Sequence, residues 1–304
     1  MEDLIIIGAG PAGLTAGLYA ARARLKTVLL EKLAPGGQVL LTDWLENYPG
    51  FPEGISGFEL MDRMKRQAER FDLVIENQNV SRLELTQGKK VVITDKGSLE
   101  TKALILTSGA TPRKLGIEGE EPLTGKGISY CATCDGPFYR DQEVALIGGG
   151  DTAVEEAIFL TRFAAKIHLI HRRDELRATK LLHERVMAQE KIHIIWDTVP
   201  TRIVGDSEVK GIDLKNVKTG ESTYLPVKGV FIFIGYIPNT ELVMGQLDLD
   251  ESGFVKTNND MQTSVPGVFA AGDIRSKILR QVATAVGEGA TAAFAVERYL
   301  EGLK

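Results

Sequence analysis

The chain of 304 residues is poor in cysteine, poor in histidine and carries no excess of basic charge. Two cysteines cannot staple a secreted disulfide scaffold, and a chain long enough for two domains of about 150 residues buries its own cores without one. With 36 basic against 41 acidic residues and a formal net charge of -5, a general nucleic-acid binder or a polybasic membrane-surface protein is excluded. Long apolar runs are missing as well. The nearest is Leu4 to Ala21, uncharged for 18 residues and close to membrane-span length. It contains Gly8, Gly10, Gly13, Gly17 and Pro11 and follows Glu2 and Asp3, which suits neither a span nor the positive start of a signal peptide. The expectation is a cytoplasmic protein without a membrane or nucleic-acid partner.

Glycine is what the chain has in abundance: 32 residues, where ordinary usage of ~7% gives about 21. Much of the surplus sits in two copies of one pattern. Leu4–Ile7 reads as a buried parallel strand, Gly8-Ala9-Gly10-Pro11-Ala12-Gly13 as a turn, the following residues to about Arg24 as a helix, and Thr27–Leu30 as a strand ending at Glu31. Further on, Glu143–Ile147 is a strand, Gly148-Gly149-Gly150-Asp151-Thr152-Ala153 a turn, Val154–Ala164 a helix and Lys166–Ile170 a strand ending at His171. Gly8 to Glu31 and Gly148 to His171 are both 23 positions, and the copies start 140 residues apart. That repetition predicts two dinucleotide-binding domains. Strand-like runs at Val91–Thr94, Leu99–Leu106, Val227–Gly235 and Val268–Asp273, and a helix near Gln281–Gly302, complete the pattern. Ser108–Pro112 and Gly235–Pro238 are the candidate crossings, with the second unit inserted into the first.

In the first copy, the glycines let the backbone approach a pyrophosphate at the helix N-terminus, and Glu31 is placed to accept from an adenosine ribose. In the second, His171, Arg172, Arg173 and Arg177 stand at the end of the strand, where the first has an acid. Guanidinium groups suit a 2′-phosphate, which points to NADP. Both cysteines lie in Cys131-Ala132-Thr133-Cys134-Asp135. Half a zinc site is one reading of such a pair, but no second pair exists and the four histidines are not spaced to supply ligands, so no metal is expected. A redox-active dithiol is the favoured reading, with Asp135 as a proton donor or acceptor, or as the cap of a turn.

These stretches together resemble the low-molecular-weight, bacterial-type thioredoxin reductases over essentially the whole chain. The resemblance is carried by Gly8–Gly13, Gly36-Gly37-Gln38, Glu46–Gly50, Cys131–Gly136, Gly148–Ala153, His171–Ala178, Phe233–Asn239, Gly272-Asp273 and Arg280–Ala283. Thr152 stands where relatives often have Ser, and Glu118 where they often have Pro. What the resemblance implies is an α/β fold of two Rossmann-like (three-layer ββα) nucleotide-binding domains. An FAD domain would comprise residues 1–111 and 241–304, and an NADP domain with the dithiol residues 112–240. By the same likeness, FAD lies against Gly8, Gly10, Pro11, Ala12, Gly13, Glu31, Lys32, Gly37, Gln38, Thr42, Asn47, Val80, Gly109, Gly272, Asp273, Arg280, Gln281, Val282 and Ala283. NADPH lies against Gly150, Asp151, Thr152, His171, Arg172, Arg173, Arg177, Ile234 and Gly235.

Also implied are Cys134 facing the flavin, Cys131 attacking the disulfide of a thioredoxin, and a homodimer formed through the FAD domains. A flavin is the cofactor that couples hydride to thiol chemistry. Since the dithiol and the NADP site share a domain, rotation about the crossings is expected between half-reactions. Reduction of another small dithiol protein, such as a peroxidase partner or a glutaredoxin-like protein, is an alternative. A ferredoxin reductase would need no dithiol, and a non-enzymatic redox sensor would not need two nucleotide fingerprints.

Overall fold

The computed structural model describes residues 1–42, 44–86 and 89–303. The chain divides into two units, Met1–Thr111 with Ile237–Lys304, and Pro112–Tyr236. In the first unit, strands Val74–Asn77, Thr27–Glu31, Glu2–Ile7 and Gly97–Leu106 lie side by side and parallel. The end of Gly97–Leu106 also pairs in parallel with Val268–Ala270, while its start turns back into an antiparallel meander with Lys89–Thr94 and Val80–Thr86.

Alternation along these strands builds two cores. Leu4, Ile6, Leu29, Ala103 and Ile105 face the helices Pro11–Arg22 and Val282–Glu301. Ile5, Ile7, Leu30, Leu104 and Leu106 face the meander residues Leu83 and Val92. Each fully buried Leu or Ile contributes roughly 1.5–3 kcal/mol, and near-continuous apolar strands are what a sheet covered on both faces requires. The two helices approach closely because a small residue lies at the contact: a Cβ on Gly289 would stand 2.3 Å from the Ala12 carbonyl oxygen.

The second unit repeats this plan. Strands Ile192–Ile195, Lys166–Ile170, Glu143–Gly148, Gly229–Phe233 and Ile128–Ser129 form a parallel sheet. The helix Asp151–Leu160 packs on one face through Val154, Ala157 and Leu160. A three-stranded antiparallel sheet, Thr198–Gly205, Val209–Asn216 and Ser222–Pro226, covers the other with Ile203, Val209, Ile212 and Leu214. This is the expected three-layer ββα arrangement, twice over. The helix expected to reach Ala164 ends at Leu160, and residues 161–163 form a turn. No helix among the described residues is long and apolar enough to cross a membrane.

Candidate active and cofactor sites

The first glycine turn is held by the strand beside it. Gly8 has φ +103°, and a Cβ there would overlap the Thr107 carbonyl oxygen at 2.5 Å, so the position demands glycine for both conformation and space. Thr107 Oγ1 donates within hydrogen-bond distance of the Ile7 and Gly8 carbonyls, 2.8 Å from each. Glu31, at the end of its strand, accepts from the Ala9 N–H (2.8 Å) and the Leu33 N–H (2.9 Å). Pro11 begins the helix, whose N-cap, Gly10, offers no side-chain cap; its first turn has no acidic residue. Its open N–H groups and positive dipole end are therefore available to an anion.

In the second unit the corresponding strand end is occupied differently. His171 is buried, its Nδ1 2.8 Å from the Gly148 carbonyl oxygen, and a Cβ on Gly149 would fall 2.2 Å from that nitrogen. The ring is thus wedged beneath the turn. Burial, aided by the Arg177 and Arg172 charges, holds its pKa below the usual histidine value. Arg172, Arg173 and Arg177 are exposed; the Arg177 N–H donates to the Gly149 carbonyl (2.7 Å), and its Nη2 stands 4.0 Å from where a Gly150 Cβ would be. Asp151, in the first turn of the helix, accepts from the Thr179 N–H at 2.7 Å. Thr152 and Gly235 are exposed, with Ile234 half-buried before Gly235.

Cys131 and Cys134 are disulfide-bonded, with Cα atoms 5.3 Å apart, at the start of the short helix Ala132–Asp135. Both are half-buried. Cys131 Sγ accepts from the Cys134 N–H (3.2 Å) and lies 3.3 Å from the Thr133 hydroxyl. Ser129 Oγ accepts from the Cys131 N–H (3.0 Å), and the Asp135 N–H donates to the Cys131 carbonyl (3.1 Å). Phe138 stands exposed four residues beyond Cys134. Burial, and then the Asp135 charge, pushes the Tyr139 hydroxyl up to about 12.

A dithiol joined to the second of two dinucleotide turns is the defining arrangement, and sequence comparison agrees with it. The family model for pyridine nucleotide-disulphide oxidoreductases matches residues 2–289. The chain belongs to that family. It is similar to the thioredoxin reductase of Peptoclostridium litorale, 49% identical with 99% of this chain and 98% of the relative covered. That of Mycolicibacterium smegmatis is 50% identical over 99% and 97%. The solved thioredoxin reductase of Streptococcus pyogenes MGAS5005 matches with a TM-score of 0.95 at 47% identity, covering 99% of both chains.

Thioredoxin reductases of this class use FAD and NADPH, and the first unit fits a flavin dinucleotide. A Cβ on Gly10 would meet nothing within 4 Å, leaving open space over the uncapped helix. Asp273 Oδ1 is buried, ion-paired with Lys277 at 3.1 Å but receiving no aligned hydrogen bond, so it retains capacity for a ligand hydroxyl. Gly37, with φ +60°, lies against Gly10: its Cβ would sit 3.3 Å from the Gly10 Cα. Asn47 Nδ2 donates to Gln281 Oε1 (3.2 Å), joining two expected site residues 234 positions apart. Gly272 abuts Ala12, and Gly109 has φ +70°.

Other expected residues are placed less tellingly. Lys32 and Gln38 are exposed, and the Thr42 carbonyl accepts from the Gly57 N–H. Val80 packs in the core on the face turned from the helix Pro11–Arg22. Arg280 bends back on its own loop, donating to the Lys277 and Arg275 carbonyls and stacking 4.0 Å over Phe254. Val282 and Ala283 open the last helix. Asn239 ends one of the stretches that carry the resemblance but is not among the expected cofactor contacts: it donates to the Ser108 carbonyl (2.7 Å) and receives the Thr111 hydroxyl (3.3 Å), fixing the backbone before Gly109. Glu288 was also not foreseen, because it is one polar residue on a helix that meets the Gly272 turn only in three dimensions.

Proposed function

We propose that this chain is an NADPH-dependent thioredoxin-disulfide reductase. The observation that carries the reading is the Cys131–Cys134 disulfide in the same unit as the arginine-flanked Gly148 turn. NADPH binds that turn, its 2′-phosphate met by Arg172, Arg173 and Arg177, and its pyrophosphate by the backbone from Gly150 to Thr152. Gly8–Gly13 and Glu31 hold FAD in the first unit, with Gly37, Asn47, Gly272, Asp273 and Gln281 around it. When bound, the flavin couples two-electron hydride chemistry to thiol–disulfide exchange.

Two electrons and two protons convert the Cys131–Cys134 disulfide to two thiols, and Asp135 is the nearby acid for proton movement. Cys131 then attacks the disulfide of the substrate protein. Its sulfur is the one that receives the Cys134 N–H and lies by the Thr133 hydroxyl, contacts that favour a thiolate. The mixed disulfide is resolved by Cys134, which re-forms the internal disulfide and releases the substrate as a dithiol. Exposed Phe138 gives a docking protein an apolar contact beside the cysteines.

The purified protein is expected to be yellow, to bleach with NADPH and to reduce a thioredoxin disulfide. Cys131→Ser should abolish thioredoxin reduction while leaving bleaching by NADPH intact. Thioredoxin reduction by that variant at the wild-type rate would refute the assignment. We place the protein in the cytoplasm, where a working dithiol is kept cycling rather than locked as a structural bridge. A homodimer through the first unit fits the exposed Phe58 and Phe294, and sedimentation at one-chain mass would exclude it.

A further inference from the structure

The buried charges behind the Gly272 turn have no role in the reaction so far described. Glu288, on the helix Val282–Glu301, is their hub. Its Oε2 accepts from the Gly272 N–H at 2.7 Å. Its Oε1 pairs with Arg275 Nη1 at 3.0 Å and with Lys277 Nζ at 3.3 Å. The three side chains are nearly covered: 14% exposed for Glu288, 12% for Arg275 and 9% for Lys277. Lys277 reaches onward to Asp273 Oδ1 (3.1 Å) and to the Thr284 hydroxyl (3.4 Å). Thr284 in turn accepts from the Gln281 N–H (3.2 Å) in the capping box that starts the helix.

We propose that Glu288 is a positioning residue for the flavin site. The claim rests on the functional reading above, which puts FAD against the Gly272-Asp273 segment and the segment at Gln281. One carboxylate ties those two segments together, through Gly272 on one side and through Lys277 and Thr284 on the other. It also divides the charge of Lys277. With Glu288 present, the ammonium is shared between two carboxylates and is held between the two segments; without that charge, the tie through Lys277 is lost. Removing one member of a buried ion network leaves the others uncompensated, so the effect is concentrated at the turn.

Glu288→Gln keeps an acceptor for the Gly272 N–H and removes only the charge. The test is titration of FAD into the full chain stripped of flavin, followed by protein fluorescence, together with the melting temperature of the stripped protein and the flavin absorption spectrum after loading. The expected result is FAD affinity weakened at least tenfold, which is about 1.4 kcal/mol, a shifted flavin spectrum, and a stripped-protein melting temperature close to wild type. A general structural role would instead lower the melting temperature and leave the affinity as it was; affinity within twofold of wild type overturns the inference. Lys277→Met carries the same test if Glu288→Gln does not accumulate folded: it too should lose affinity tenfold, and unchanged affinity there overturns the proposal. A wild-type chain that takes up no FAD overturns the functional reading and this inference with it. A wild type that binds and a variant that binds equally well overturn the inference alone.

Discussion

The two glycine turns have the same span from first glycine to strand end, yet they solve the same problem with opposite chemistry. At the first, the Glu31 carboxylate anchors the turn by taking the Ala9 N–H and stays half-buried. At the second, the His171 ring anchors from below, through the Gly148 carbonyl, and is itself buried. An acid can anchor and read a ribose at once, because it has lone pairs to spare. Beneath a turn meant for a 2′-phosphate that acid would repel the ligand. On the function proposed above, the second turn separates the tasks: an imidazole supports, and the exposed arginines would meet the phosphate. The helix starts differ too, with no acid in the first turn after Gly10 but Asp151 after Gly150.

The sharpest way to break this division is Gly149→Val. Its Cβ would occupy the space of the His171 ring, 2.2 Å from Nδ1. We expect NADPH affinity to fall about 100-fold and stability by ~1–3 kcal/mol from overpacking, with flavin content unchanged. Calorimetric titration with NADPH and the absorbance ratio of flavin to protein check both halves. Next in size are Arg172→Ala, Arg173→Ala and Arg177→Ala. Each should raise KM for NADPH roughly tenfold, the worth of one charge-assisted phosphate contact, and leave KM for NADH nearly unchanged; equal effects on both nucleotides would remove the 2′-phosphate assignment.

A further effect is read in pH. His171 has a folded pKa below its ordinary value, so the folded chain resists the proton that the unfolded chain accepts. Stability from this group is fully present above the unfolded pKa of about 6.5 and is lost as pH falls from there through the folded pKa. His171→Gln should flatten that slope in urea melts between pH 7 and 5; an unchanged slope would show that another group carries it. The smallest change is expected from Asp151→Asn. Losing a negative charge at the helix start beside the pyrophosphate should tighten NADPH binding by a few-fold, about 0.3–1 kcal/mol, with a weaker dependence on salt. Looser binding would mean that the Thr179 N–H contact to Asp151 matters more than its charge.

Much of the fold could be read from local pattern. Lys166–Ile170 is a strand at the bounds its apolar run suggests, since a buried parallel strand must be apolar on both faces. The helix after Gly150 was legible in kind but ends at Leu160, because the turn at 161–163 is set by contacts from elsewhere, among them the Asp141 N–H on the Phe163 carbonyl. The antiparallel sheet from Thr198 to Pro226 was not foreseen. Its strands alternate polar and apolar residues weakly, and their identity comes from pairing with each other and packing on the parallel sheet. Glu288 was illegible for a related reason: nothing local distinguishes it from any other solvated helix glutamate.

By itself the sequence determined the two turns, the acid at the end of one strand and the arginines at the end of the other, and the placement of every thiol within four positions. These are short-range features, in which spacing along the chain dictates distance in space. Only the tertiary structure decided which polar side chains became anchors. His171 is wedged beneath its turn; Arg280 folds back on its own loop; Glu288, Asn239 and Thr107 hold turns to which they are not adjacent in sequence. The physical reason is that a buried polar atom must find a partner wherever packing places one, and packing brings together residues that the sequence keeps far apart.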